Sequence, residues 1–371
     1  MNYPLAKPSL GKEEERAVLS VLRSGVLSMG PRVEEFERKF AKFVGTKYAV
    51  AVSSGTAGLH LALIGAGIGE GDEVITTPFS FVASANAILY VGAKPVFVDI
   101  EPVTYNIDPE RIEAAITPKT KAILLVHILG QSSAMDAIVR IAKKHSLKIL
   151  EDACESVGAK YRGKEVHGNV GTFGESAVFA FYPNKQMTTG EGGMIVTSDA
   201  ELAKLFRSLR NQGRGESRAW LDHERLGYNY RMDEMSAALG IEQLKRLQKF
   251  IAQRQAIARS YSDILGKHPE LVQVPRVANE NTHTWFLYVV RVLTKDRDAV
   301  IRELGKSGIA TKPYFPSIHL FSFHKKRFGF KEGDFPVSEL VSSQAIALPL
   351  YVELFPKDIG RICQTLLKTL S

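Results

Sequence analysis

Three stretches of the chain hold residues that could do chemistry together. The first, Val50-Ala51-Val52-Ser53-Ser54-Gly55-Thr56-Ala57-Gly58-Leu59-His60-Leu61, is an apolar run that turns through small polar residues into a helical pattern. A helix starting there offers unpaired N–H groups, the positive end of its dipole and the hydroxyls of Ser54 and Thr56, which together suit a phosphate. The same residue types also make an ordinary N-cap, so this stretch alone leaves both readings open. The second, Ile149-Leu150-Glu151-Asp152-Ala153-Cys154-Glu155, is an apolar strand that ends in adjacent carboxylates. That ending puts Asp152 at the carboxyl edge of a sheet, where ligands of α/β proteins bind, although an Asp after a strand can equally cap the next helix. The third runs from Phe179 to Gly193 and carries Lys185 between an aromatic strand and a Gly-rich turn. A lone loop lysine is usually solvated. Here glycines allow backbone to approach a ligand, and partial burial lowers the pKa of the amine, as a Schiff-base lysine requires.

A phosphate seat, a carboxylate that keeps a pyridine nitrogen protonated and an amine that captures an aldehyde are the needs of pyridoxal phosphate, whose ring draws electrons from a carbanion during transamination. Once displaced by an amino acid, the lysine amine can act as general base and acid at the substrate alpha carbon. The interval between Asp152 and Lys185 leaves room for a strand, a connection and a second strand, so both can reach one cofactor.

These residues need elements to hold them. From Lys47 to Leu150 short β-branched runs alternate with longer helical stretches, the pattern of βα units that feed a sheet with helices on its faces. The predicted strands are Tyr48 to Val52, Glu73 to Thr77, Pro95 to Asp99, Ala122 to His127 and Lys148 to Glu151. Helices are predicted over Gly55 to Gly67, Phe81 to Val91, Pro109 to Ile116 and Ala134 to His145. A hairpin-like pair follows, Ser176 to Phe181 and Gly193 to Thr197, with Lys185 in its loop. Asp233 to Leu265 reads as one extended helix or two in sequence, a bridge between lobes. Beyond it come a strand (Thr284 to Val292), a helix (Asp296 to Lys306) and a C-terminal helix (Pro356 to Leu370), the content of a small α+β domain. The division expected is a large cofactor-binding domain over 1–245 and a small domain over 246–371.

At 371 residues the chain can bury a full active site, and its 45% hydrophobic and 24% charged content is that of an ordinary globular protein. No apolar run is long enough to span a bilayer and the polar start lacks a signal-peptide core, so a cytoplasmic protein without membrane contact is expected. Cys154 and Cys363 are far apart and outside any CxxC pattern; they imply neither a disulfide nor a thiolate metal site, no metal is expected, and both read as core residues. The net charge of +8 comes from lysines and arginines scattered among glutamates, which fits solubility better than nucleic-acid binding.

Taken in order, GVLSMGP (Gly25 to Pro31), SSGTAGL (Ser53 to Leu59), TPFSFVA (Thr77 to Ala83), EDAC (Glu151 to Cys154), FYPNKQMTTGEGG (Phe181 to Gly193) and GYNYRM (Gly227 to Met232) resemble the DegT/DnrJ/StrS family of sugar aminotransferases nearly end to end. The resemblance implies the aspartate aminotransferase fold: a mostly parallel, seven-stranded α/β sheet flanked by helices, with a smaller α+β C-terminal domain. It implies that Lys185 forms the Schiff base, that Asp152 pairs with the pyridine nitrogen, that Ser54, Gly55 and Thr56 hold the phosphate and that Phe81 lies against the cofactor face. Glu155 stands where many relatives carry Gln or His near the phenolic oxygen, and Ala180 where many carry a phosphate-binding Ser. Asn229 matches a residue that reaches the phosphate of the neighbouring subunit, which implies a homodimer with shared sites. Tyr314 and His319, in KPYFPSIHL (Lys312 to Leu320), fall in a stretch that resembles a loop lining the sugar pocket in relatives, and Arg231 is a candidate either for the cofactor phosphate or for anionic groups of the substrate. The activity implied is transfer of an amino group from L-glutamate, through pyridoxamine phosphate and with release of 2-oxoglutarate, to a keto-deoxy sugar on a nucleoside diphosphate, a 4-keto-6-deoxyhexose being favoured. A sugar dehydratase on the same fold would carry His in place of Lys185; a cofactor-binding regulatory protein would keep the site without turnover.

Overall fold

The structure is a computed structural model that describes residues 2–215 and 222–371. Successive side chains of a strand point to opposite faces, and the Tyr48–Val52 strand follows the rule. Ala49 and Ala51 join Phe36, Phe40 and Phe179 on one side of the main sheet, whereas Val50 and Val52 join Leu59, Leu61 and Ile195 on the other. The sheet has seven strands in the order Tyr48–Val52, Gly193–Thr197, Ser176–Ala180, Lys148–Asp152, Thr120–Val126, Glu73–Thr76 and Lys94–Phe97. Only Gly193–Thr197 runs against its neighbours; the pairings of the remaining strands leave them all parallel to one another. Helices cover both faces, so the α/β architecture expected from the alternating pattern is the one observed.

The Asp233–Leu265 stretch is a single helix of 32 residues, Glu234–Leu265, started by Asp233, whose carboxylate accepts the Ser236 N–H at 2.8 Å. Leu247 and Ile251 pack into the core beneath the large sheet. Further along, Ile257, Ala258, Tyr261 and Leu265 enter a second core with Tyr288, Val290, Ile346, Leu348, Ile362 and Leu366. One rigid helix thus serves two cores. The second core is backed by an antiparallel sheet, ordered Val272–Gln273, Tyr288–Val292, Ala345–Leu348, together with the Arg297–Lys306 and Pro356–Leu370 helices.

The strand predicted over Thr284 to Val292 begins only at Tyr288. Upstream of it the N–H groups of Thr284 and Phe286 donate to the carbonyls of Gly130 and Leu129, at 2.8 and 3.0 Å, in a loop of the large sheet. Those donors are therefore lost to the small sheet, and the segment docks on the large one. A second addition is a three-stranded ribbon of Asn281–Thr282, Lys160–Arg162 and His167–Asn169, strands too short to leave a periodic pattern.

Candidate active site

Because their strands are parallel, the carboxyl ends of Tyr48–Val52, Lys148–Asp152 and Ser176–Ala180 lie on one edge of the sheet and open into a single cavity of about 430 Å³. At the first end, Ser54 caps the Gly55–Gly65 helix: its Oγ accepts the Ala57 N–H at 3.1 Å. The N–H groups of Gly55 and Thr56, at the first two helical positions, have no acceptor within the helix and border the cavity. The cap and the two N–H groups thus belong to one helix start. A Cβ on Gly193 would stand 2.6 Å from the Ser54 carbonyl and 2.8 Å from the Gly55 nitrogen, so only glycine lets the reversed strand pass this close. Ala180 and Cys154 form the floor, 2.7 and 2.9 Å from where a Gly55 Cβ would lie. Cys154 is consequently a cavity residue and not the plain core residue expected; Cys363 is buried in the second core.

Asp152 is 5% exposed. Its Oδ2 accepts the Ser84 hydroxyl at 2.7 Å and its Oδ1 accepts the Cys154 N–H at 3.2 Å. Ser84 is linked in turn to Ser80, in the bend ahead of the Ala83–Tyr90 helix, at 2.9 Å between hydroxyls. Both serines line the cavity and escaped the sequence reading, because neither a serine within an apolar helical stretch, Ser84, nor one in the bend before it, Ser80, carries a local signal of its partner. Phe81 is 61% exposed and borders the cavity, so it is not part of the core.

The lysine end is assembled from more distant parts. Lys185 follows the aromatic strand, its N–H bonded to the Tyr182 carbonyl at 2.9 Å. Its Nζ lies 3.8 Å from Glu155 Oε1 and 3.9 Å from the centre of the Phe286 ring, contributed by the segment diverted from the small sheet. Gln186 locks the loop by donating from Nε2 to the Glu155 carbonyl at 2.5 Å and to the Thr284 hydroxyl at 3.0 Å. Glu155 Oε2 accepts the Leu129 N–H at 2.8 Å. Burial raises the Glu155 carboxyl to about 7, with Asp152 adding to the rise and Lys185 and the Leu129 N–H opposing it. Tyr314 borders the cavity, with its phenol raised by burial and bonded by Asn184.

The cavity therefore gathers Ser54, Gly55, Thr56, Phe81, Asp152, Glu155, Lys185 and Tyr314. Three other predicted residues lie elsewhere. Asn229 is exposed and pairs with Asn211, while Arg231 donates to Asn211 Oδ1 at 3.0 Å. Their segment still runs beside the cup, since the Tyr230 carbonyl accepts the Ser53 N–H at 2.8 Å. His319 is fully buried, 2.9 Å from Glu339 through Nε2 and packed on the Phe335 ring, and is not among the residues that line the cavity.

Unpaired N–H groups at a helix start, an acid at the sheet edge and a screened amine thus surround one cavity. The chain belongs to the DegT/DnrJ/EryC1/StrS aminotransferase family, whose model matches residues 8–367; these are pyridoxal-phosphate-dependent sugar aminotransferases. It is 41% identical to the spore coat polysaccharide biosynthesis protein SpsC of Bacillus subtilis, over 97% of this chain and 95% of that protein. It is 40% identical to GDP-perosamine synthase of Caulobacter vibrioides, over 98% and 96%. The structure of a putative sugar aminotransferase from Streptococcus pneumoniae in its PLP form superposes with a TM-score of 0.93 at 28% identity, covering 100% of both chains. The residues found around the cavity fit that cofactor: Ser54 to Thr56 for its phosphate, Asp152 for its ring nitrogen and Lys185 for its aldehyde carbon. Among the described residues no cluster of metal-ligating side chains is present and no helix is long and apolar enough to cross a membrane.

Proposed function

We propose that this protein moves an amino group from L-glutamate to a keto-deoxy sugar carried on a nucleoside diphosphate, a 4-keto-6-deoxyhexose being the favoured acceptor, for a surface polysaccharide or other glycan. The observation that carries the reading is the meeting of Lys185, Asp152 and the Ser54–Thr56 cup around one cavity. The likeness to GDP-perosamine synthase supports the nucleotide-linked acceptor, and the spore coat protein supports a polysaccharide product.

When bound, pyridoxal phosphate supplies an exchangeable aldehyde and an electron-withdrawing ring. The chain does the remainder. The Ser54 hydroxyl and the N–H groups of Gly55 and Thr56 hold the phosphate dianion at the helix start. Asp152, with Ser84 donating to one of its oxygens, would pair with the ring nitrogen and hold its proton in place. Phe81, which lines the cavity, would lie against the cofactor face. The Lys185 Nζ takes and returns the proton at the carbon that bears the amino group, and Glu155, next to it, can change charge near neutral pH. Asn229, exposed and outside its own cavity, reaches the phosphate end of a second subunit in a homodimer, while Arg231 and Tyr314 meet the acceptor.

The test is incubation with glutamate and a panel of nucleotide-linked 3-keto and 4-keto sugars, following 2-oxoglutarate and identifying the aminated product. Amination of a 4-keto-6-deoxyhexose is expected. Release of 2-oxoglutarate with no member of the panel would overturn the acceptor assignment.

A further inference from the structure

Beneath the lysine loop lies a buried charge that none of the cavity's acids neutralises. Arg254, on the Glu234–Leu265 helix, is 3% exposed, and burial alone lowers its pKa to about 10. Its donors go to carbonyls: Nη1 to Trp285 at 3.0 Å and Phe286 at 3.3 Å, and Nη2 to Lys185 at 3.4 Å, while Nε has no partner. Taking a cation out of water without a counter-ion is costly, and what offsets that cost here is three hydrogen bonds to backbone carbonyls.

The carbonyls it grips belong to the two segments that set the environment of the amine. Lys185 brings Nζ from one side, and Phe286 brings the ring 3.9 Å below it from the other. Between them Trp285 holds a φ of 53°, a left-handed backbone that costs a large side chain about 1–2 kcal/mol. The guanidinium sits on the carbonyl of that strained residue and on the next one. Its planar fork can hold two segments at a fixed spacing, which a lysine ammonium on a flexible stem cannot do.

We propose that Arg254 is a positioning residue for Lys185: it ties the lysine backbone to the strained Trp285–Phe286 turn, so that amine and ring keep their separation while ligands exchange. This rests on the reading that Lys185 binds the cofactor aldehyde. The test compares the full chain with Arg254→Met and Arg254→Lys in two ways. The first is the rate at which a small acylating reagent labels Lys185 in cofactor-free protein, read by mass spectrometry. The second is the pyridoxal phosphate concentration that half-saturates the visible band. Arg254→Met is expected to raise both by about tenfold, the change that corresponds to ~1.4 kcal/mol, with Arg254→Lys in between. A folded Arg254→Met with both readings at wild-type values overturns the proposal, as does a lower melting temperature with neither reading moved. Should Arg254→Met not fold, Arg254→Lys decides by the same readings. If the wild type forms no visible band, the cofactor reading fails by itself, and the labelling rate still judges Arg254.

Discussion

The phosphate end of the cavity and its lysine end draw on the chain in different ways. Ser54, Gly55, Thr56 and Asp152 sit where two parallel strands of the large sheet, Tyr48–Val52 and Lys148–Asp152, stop at the same edge, and each is placed by its own few residues: a strand, a small polar turn, a cap. Lys185, Glu155, Phe286 and Tyr314 come from four separate segments, and their mutual distances depend on Gln186, Arg254 and the Thr284–Phe286 docking. A ligand that must be held can use the first kind of construction, since helix start and strand end are rigid. An amine that must change partners needs the second, where surroundings are set by packing between the lobes.

The sharpest break of this comparison is loss of the amine. Lys185→Ala is expected to retain cofactor through the phosphate end but to lose amino transfer by at least about a thousandfold, within the range that a general acid–base group supplies. Visible spectra and 2-oxoglutarate release check both halves, and full turnover by this variant would remove Lys185 from the reaction. Next comes Asp152→Asn, which keeps the shape and the Cys154 and Ser84 contacts within reach but removes the charge. A loss of roughly a hundredfold in kcat with a much smaller change in KM for glutamate is expected, because a charge contact to the ring acts on the transition state.

The difference between the two ends also explains what could be read from the sequence. Strand–turn–helix and strand–carboxylate patterns are local, so the cup, Asp152 and the boundaries of most central strands followed from periodicity and capping rules. At Ser54 the structure shows the N-cap, with the Gly55 and Thr56 positions proposed for the phosphate directly after it, which is why local reasoning left the two readings as alternatives. Ser84, Phe286 and Arg254 are set by long-range contacts with ordinary local signatures: a serine in a helix, an aromatic before a strand, an arginine in an amphipathic helix. The diverted strand at Thr284 shows the same limit, because its apolar pattern suits a strand and only the competing carbonyls of Leu129 and Gly130 redirect it. His319 fails in the opposite direction: its place in a motif suggested a ligand contact, whereas Glu339 and the aromatic rings around it take up the side chain.

Glu155 separates the two constructions without any ligand. Its folded carboxyl is raised to about 7 from an ordinary 4.5, chiefly by burial. Below the unfolded value the group is protonated in both states and its contribution to stability is complete. As pH rises from there to about 7, the unfolded chain ionises first, and stability is lost over that window. The loss is at most on the order of 3 kcal/mol for a shift of this size. Glu155→Gln removes the titration, so its stability should fall less than that of the wild type between about pH 5 and pH 8 in urea unfolding of the cofactor-free protein. Parallel curves would mean that the buried carboxyl ionises normally and that the lysine end is wetter than its packing indicates.

The smallest effect expected lies at the phosphate end, where a single hydroxyl supports the acid. Ser84 donates to Asp152 Oδ2 at 2.7 Å from a side chain 1% exposed, and Ser80 stands behind it. A hydrogen bond to a buried charge is worth about 1.5–3 kcal/mol, part of which Asp152 recovers from the Cys154 N–H or from solvent once the hydroxyl is gone. Ser84→Ala should therefore weaken cofactor binding by roughly tenfold, corresponding to ~1.4 kcal/mol. The decisive measurement is the same substitution in an Asp152→Ala background. If Ser84 acts through the carboxylate, the second change costs almost nothing there; if both substitutions add in full, the serine contributes independently and the phosphate end is less modular than its geometry implies.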